Sequence, residues 1–358
     1  MTESNPIATT ASSPGQDPIE PQPVAVYSSV GAEYDALRDH AAVVDRSHRG
    51  RMRFLGEQSG EALTGLVTND VLALQPGHGQ YGAALSAKGR ILADIRVFAF
   101  PGYYLVDTSP RSWTGFASMV KKYVNPRVSG YRDDSFTTRD IGVFGPEAKR
   151  IVGAIAHLSA DALVALPQYG HVATTIADTA ITVARVPDAG VDGYDLFLPH
   201  DAFDRIWTAL VAAGAMPAGA SAWDIVRVEA GRPAWGVDID DSTITQEANF
   251  DELDAISYTK GCYIGQEVVA RVHFRGHVNR HLRGLRGAKG DGGPPTGAQL
   301  IDDSGNHVGD IRSSVVSPRL GAIAIGMVRR EVMPGMSLNA RWDGITARVE
   351  VTALPFPI

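Results

Sequence analysis

Between residues 51 and 215 the chain runs twice through a similar succession of strands and helices, and this repetition limits its fold more than any other feature. The first pass holds a helix in "SGEALTGLVTNDVLAL", starting at Gly60 and ending near Asn69. Three strand segments follow, "GQYGAALS", "RILADIRVFAF" and "GYYLVDTS", set apart by the turn signals "AKG" and "PG". A helix over "RSWTGFASMVKKYV" closes the pass. From Phe136 the elements begin again: a strand in "FTTRDIGVFG", a helix in "PEAKRIVGAIA", strands in "ITVARVP" and "GYDLFLP", and a helix in "HDAFDRIWTALVAAGA". Two similar halves of alternating strands and helices predict two related α+β subdomains. Upstream, "YSSVGAEYDALRDHAAVVDRSHRGRMRFLG" predicts a helix, a turn and a strand from about Arg51.

Downstream, "SAWDIVRVEAGRP" reads as a helix stopped by Pro233. The Gly- and Pro-rich "GAKGDGGPPTG" then leads into short strands in "AIAIGMVRR", "SLNARW" and "TARVEVTAL", the pattern of a small β-barrel or sandwich. At the other end, "MTESNPIATTASSPGQDPIEPQP" is rich in Ser, Thr and Pro. It lacks the positive start and apolar centre of a secretory signal, so residues 1–24 are expected to form a flexible tail. A hydrophobic fraction of 44% with 20% charged residues fits a globular body with a sizeable core. The net charge of −7 and pI near 5.8 argue against a general nucleic-acid coat. No apolar run reaches membrane-spanning length, and a single cysteine rules out an internal disulfide and points to a cytoplasmic protein.

That cysteine, Cys262, lies in "TKGCYIGQEVVARVHFRG". Here Gly261 and Gly265 allow a tight turn, and Val268, Val269 and Val272 have helical spacing. The thiol is therefore expected just ahead of a helix N-terminus, where backbone amides and Lys260 favour the thiolate. Burial as a small apolar residue is the competing reading. Without CxxC or zinc-type Cys/His spacing, a cluster held here needs ligands from another molecule. Between residues 260 and 289 the bases Lys260, Arg271, Arg275, Arg280, Arg283, Arg286 and Lys289 face Glu267 as the only acid. Such a band suits a phosphate, a polyglutamate tail or a segment of RNA, unless it is simply a solvated face.

Asp94 stands in an otherwise apolar strand, where a carboxylate must be paired, hydrogen-bonded or set in a ligand cavity. An ionised carboxylate suits an N–H-rich heterocycle because it accepts several hydrogen bonds at once. Glu229 falls on the helix before Pro233, and the acidic loop after it lacks the spacing of an EF-hand. Dinucleotide, P-loop and GxSxG signatures are absent, which weakens nucleotide-dependent and hydrolase readings.

The run "KGCYIGQEVVARVHFRG" resembles the signature of the YgfZ family, folate-binding relatives of the glycine-cleavage T-protein that support iron-sulfur proteins and are linked to tRNA modification. "LVTNDVLAL", "GQYGAALSAKGRILADIRVF", "RVEAGRPAWGVDID" and "SSVVSPRLGAIAIGMV" resemble segments of the wider T-protein superfamily. The resemblance implies an α+β, three-domain cloverleaf around a folate-sized opening. Residues 25–50 and 136–280 would form a first, discontinuous unit, residues 51–135 a second, and residues 281–358 the C-terminal β-barrel. Both α+β units are expected to be ferredoxin-like.

Departures accompany the match. "GRILAD" keeps the second Asp of the aminomethyltransferase pattern as Asp94 but has Ala93 in place of the first. Trp223 replaces an Arg, and Asp195 in "GYDL" replaces an acidic residue of a G-F-E strand. Where the T-protein has an Asp that would cap the helix, this chain has Cys262, at a helix cost of about 1 kcal/mol.

The resemblance thus implies a tetrahydrofolate-binding protein that assists assembly or repair of iron-sulfur clusters in client enzymes, indirectly supporting tRNA modification. Cys262 would be the reactive thiolate and Lys260 would lower its pKa. Cofactor contacts are expected from Asp94, Tyr81, Asp195, Glu229, Arg271 and Arg275. A folate-dependent aminomethyltransferase or demethylase is the first alternative, and a tRNA-binding module using the basic band is the second.

Overall fold

The computed structural model describes residues 23–287 and 292–357. The expected tail, apart from Pro23 and Val24, lies outside the described residues, as does Lys289.

Strand periodicity explains the layout. In the strand Ile91–Phe100, the odd positions Ala93, Ile95 and Val97 turn toward Phe116, Met119 and Val120 of the helix Pro110–Tyr123. The even positions Asp94, Arg96 and Phe98 turn the other way. This strand belongs to an antiparallel sheet in the spatial order Gly79–Leu85, Ile91–Phe100, Tyr103–Thr108, Gly50–Leu55, Gly130–Asp133.

A six-stranded sheet takes its strands from both sides of that unit in the sequence. Its order is Met216–Pro217, Ala42–Asp45, Thr138–Phe144, Gly193–Pro199, Thr179–Arg185, His171–Ile176. Val43, Ile141, Val143 and Leu196 face the helices Ala148–Ala156 and Phe203–Ala212 on one side. On its other side Ala42, Val44, Phe144 and Phe197 join Tyr81 and Phe98 of the five-stranded sheet in a shared core. The two sheets therefore meet face to face, each backed by its own helices. The C-terminal strands Arg280–Gly287, Gly321–Arg329, His307–Ser317, Gln299–Ile301, Ser337–Trp342 and Ile345–Thr352 close into a barrel. Among the described residues no helix is long and apolar enough to cross a membrane.

Some elements differ from the sequence-based expectation for local reasons. The helix expected from Gly60 to Asn69 spans Ser59–Thr64, because Val67 leaves it to bridge Ala84 and the Thr68 N–H donates to Ala83 O. Ala42–Asp45 is a strand of only four residues, too short to show alternation. Arg280–Gly287 is a barrel strand whose arginines mask its apolar positions Leu282 and Leu285.

Buried charge joins the sheets. Arg96 is paired in register with Asp107 on the neighbouring strand, and Arg96 Nη2 lies 2.7 Å from Asp107 Oδ1. Its Nη1 reaches Asp195 Oδ2 of the six-stranded sheet at 2.6 Å and Asp188 Oδ2 at 3.2 Å. Burial works against the Arg96 charge, but Asp107, Asp195, Asp188 and Asp140 outweigh it and hold the pKa well above its ordinary value. Removing one partner of a buried cluster leaves the others uncompensated. Arg96→Met is expected to lower the unfolding free energy by about 3–5 kcal/mol, measured by urea denaturation; a loss below about 1 kcal/mol would show that the cluster does not bind the sheets together.

Candidate functional site

Where the two sheets meet, a cavity of about 310 Å³ opens beside Arg96. Asp94 reaches it because it lies two residues before Arg96 on the same strand face. Tyr81 lines it from the neighbouring strand, and its hydroxyl donates to Asp94 Oδ2 at 3.3 Å. The Tyr81 ring is held between Tyr169, with centroids 6.3 Å apart, and Phe250, at 5.4 Å. Thr108 Oγ1 donates to the backbone oxygen of Asp94 and fixes the strand behind it.

Asp94 is the unmatched carboxylate of this wall. The residue is buried, and Oδ1 has no hydrogen-bond partner among the described residues. Burial raises its pKa above the usual carboxylate value, while Arg49 and the Tyr81 hydroxyl pull it back only in part. The lining also carries the aromatic and cationic side chains Trp223, Trp235, Tyr27, Arg46, Arg49 and Arg227, together with the carboxylates of Asp45, Asp188 and Asp224. Most of these arginines are already matched. Arg46 pairs with Asp188 at 2.6 Å, Arg49 with Asp107 at 2.6 Å, and Arg227 with Asp238 at 2.7 Å. Arg111 and Arg232 also line the cavity and have no carboxylate partner among the described residues. Trp223 lies under the Arg46 guanidinium, 5.0 Å from its centre, and against Phe144 at 4.7 Å.

Sequence reasoning missed His48 and Trp235, which also line the cavity. Their Nδ1 and Nε1 atoms lack partners among the described residues. Burial, followed by Arg49 and Arg46, lowers the His48 pKa to about 3, so the ring is neutral at physiological pH. The "RSHRGR" run around His48 offers no periodicity that would have marked it as a ligand group.

The structure assembles only part of the expected cofactor set. Asp94 and Tyr81 meet in the cavity. Asp195 does not line it: the side chain is fully buried under Arg96 and Arg46, and its carboxylate binds the two sheets instead. Glu229 also lies elsewhere. It is fully buried and accepts from the Tyr34 hydroxyl at 2.8 Å, from Arg38 Nε at 2.9 Å and from Ser317 Oγ, joining the helices Val30–Asp39 and Ala220–Glu229 to the barrel. Arg271 and Arg275 are exposed on the helix Gln266–Arg275 and do not line the cavity, because that helix places them on its solvent side.

The loop before that helix also departs from expectation. Its N-cap is Gly265, with φ at 83°, so Cys262 precedes the cap and no capping energy is lost there. Cys262 is exposed. The Lys260 ammonium donates to the carbonyls of Thr64 at 2.5 Å, Val67 at 2.6 Å and Asn69 at 3.0 Å. It thus closes the open end of the short helix Ser59–Thr64. Burial lowers its pKa to about 8. The Lys260 ammonium, expected to lower the pKa of Cys262, thus donates to three backbone acceptors and makes no hydrogen bond to Cys262 among the described residues.

The chain matches the GCVT N-terminal domain over residues 20–255 and the glycine cleavage T-protein C-terminal barrel domain over residues 280–357. It belongs to the glycine cleavage T-protein family. An aminomethyltransferase of Nostoc sp. is 30% identical over 340 residues, covering 92% of this chain and 88% of that relative. One from Saccharopolyspora erythraea is 30% identical over 338 residues, covering 92% and 90%. The crystal structure of the glycine cleavage system aminomethyltransferase T from Bartonella henselae superposes with a TM-score of 0.82 at 22% identity, over 93% of this chain and 91% of that one, and shares the fold. These relatives are named aminomethyltransferases.

Because the folded pKa of Asp94 lies above its unfolded value, the native protein holds an extra proton between the two values. Stability therefore falls as pH rises through that window, and the ionised carboxylate destabilises the fold at neutral pH. Asp94→Asn is expected to raise Tm at pH 7, with the gain shrinking as pH falls toward 4. A lower Tm for the variant at pH 7 would mean that the charge is compensated.

Proposed function

We propose that the protein binds tetrahydrofolate in the cavity beneath Asp94 and, in the manner of an aminomethyltransferase, transfers to it the one-carbon unit of an aminomethyl donor with release of ammonia. The observation that carries this reading is the buried Asp94 Oδ1, a carboxylate oxygen without a partner among the described residues, in a wall where His48 Nδ1 and Trp235 Nε1 are also unpartnered. A folate pterin is an N–H-rich, flat heterocycle, and the lining offers it a carboxylate acceptor and the aromatic rings of Trp223, Trp235 and Tyr81. Arg111 and Arg232 would meet its glutamyl carboxylate. Bound tetrahydrofolate supplies amine nitrogens that carry a one-carbon unit. Asp94, with its raised pKa, orients such an amine and exchanges a proton with it. The protein would work in the cytoplasm on a small amine donor or a donor carried by a partner.

A second reading is supported by the exposed Cys262. The thiol would act in assembly or repair of iron-sulfur clusters in client enzymes, in the manner of YgfZ, and so sustain tRNA modification.

Calorimetry of the purified chain with 5-formyltetrahydrofolate tests the shared premise. Asp94→Asn is expected to weaken binding about ten- to hundredfold, as loss of a charge-assisted hydrogen bond does, with Arg271→Ala unchanged. Equal affinity of the wild type and Asp94→Asn would remove Asp94 from the site. Aminomethyl transfer to tetrahydrofolate that persists in Cys262→Ala is expected from the first reading. Loss of an iron-sulfur enzyme's activity in cells rescued with Cys262→Ala, but not with wild type, would favour the second.

A further inference from the structure

One wall of the cavity is made by the first described residues of the chain. Pro23, Val24 and Tyr27 line it together with Arg46 and Trp223. This strap, residues 23–28, runs across the start of the helix Ala220–Glu229. The Ala220 N–H donates to Val24 O at 2.9 Å and the Ser221 N–H to Ala25 O at 3.0 Å. Tyr27 rests on Trp207, with ring centroids 5.8 Å apart.

A single buried carboxylate holds the strap in place. Glu33 is fully buried in the first turn of the helix Val30–Asp39. Its Oε1 accepts from the backbone amides of Tyr27 and Ser28, both at 2.6 Å, and its Oε2 from the amide of Gly219 at 2.9 Å. No arginine or lysine pairs with it among the described residues; backbone amides at two helix N-termini balance its charge. Gly219 matters because the strap passes close above it: a Cβ there would lie 2.4 Å from Ala25 O. Its backbone is extended, so the obstacle is the strap itself and not the conformation of Gly219.

We infer that Glu33 is a positioning residue that clasps the 23–28 strap over the ligand cavity, and that release of this clasp sets how fast the ligand leaves. The inference rests on the folate reading of the cavity. The strap's apolar side chains are half-exposed, with Val24 at 46% and Tyr27 at 42%, and the hydrogen bonds described above attach it to the body. Lifting it breaks few apolar contacts but opens a whole wall of the cavity. Glu33 does not itself line the cavity, so its effect on the ligand passes through the strap.

Two variants test this with the full chain. Glu33→Gln removes the charge and sets an amide against converging N–H donors; Gly219→Ala pushes on the strap while leaving Glu33 intact. Dissociation of 5-formyltetrahydrofolate, followed by stopped-flow tryptophan fluorescence, is expected to quicken about tenfold in Glu33→Gln, the effect of losing one charge-assisted hydrogen bond, and to quicken also in Gly219→Ala, where the added Cβ meets Ala25 O. The association rate is expected to change much less. Unchanged dissociation in both variants would overturn the inference. If the wild type binds no folate, the folate reading fails separately, and amide exchange of the 219–223 segment decides the clasp. Faster exchange in both variants then supports it, and exchange equal to wild type overturns it.

Discussion

The guanidinium of Arg96 is the point on which the architecture turns. A buried cation needs its hydrogen bonds and counter-charges supplied from fixed directions. Arg96 takes Asp107 from its own sheet, and Asp195 and Asp188 from the other unit. These partners are met together in only one relative placement of the two sheets. The apolar part of the same face, with Phe98, Phe144 and Phe197, supplies non-directional burial, while the ion pairs fix the orientation. The cavity lies beside this cluster, so charge pairing that serves structure also positions the wall carrying Asp94.

The buried carboxylates differ in what balances them: Asp140, with neither oxygen hydrogen-bonded among the described residues, has Arg96 at 3.6 Å. Asp107, Asp195 and Glu229 are matched by guanidinium groups, and Glu33 by backbone amides. Asp94 has a weak bond from Tyr81 and an oxygen with no partner. An unmatched buried carboxylate lowers stability, and folded proteins carry one where a ligand completes it. His48 Nδ1 and Trp235 Nε1 add further unmet hydrogen-bonding capacity to the same cavity. The concentration of such atoms in one opening is the observation on which the proposed binding of a polar heterocycle rests.

Asp94 was legible in the sequence because a carboxylate inside an apolar strand contradicts its surroundings. The helix from Gln266, the two α+β halves and the barrel were legible because their apolar positions recur with the periods of helix and strand. Asp195 and Glu229 had the right residue type but the wrong assignment. Whether an acid is free depends on arginines such as Arg96, Arg46 and Arg38, which are distant in the chain and close only in the fold. Lys260 is a similar case. Two residues from Cys262 in sequence, its ammonium is taken by carbonyls from a helix end in another unit.

By itself the sequence determined the kinds of element, their order, and the family to which the chain belongs, since each follows from short-range periodicity or from motif residues close together in the chain. Only the tertiary structure decided which charges are spent on each other and which face the cavity. It also decided that a strap at residues 23–28 walls that cavity through Glu33. The physical reason is that hydrogen bonds and ion pairs are satisfied by proximity and direction in space, and the linear order of residues specifies neither.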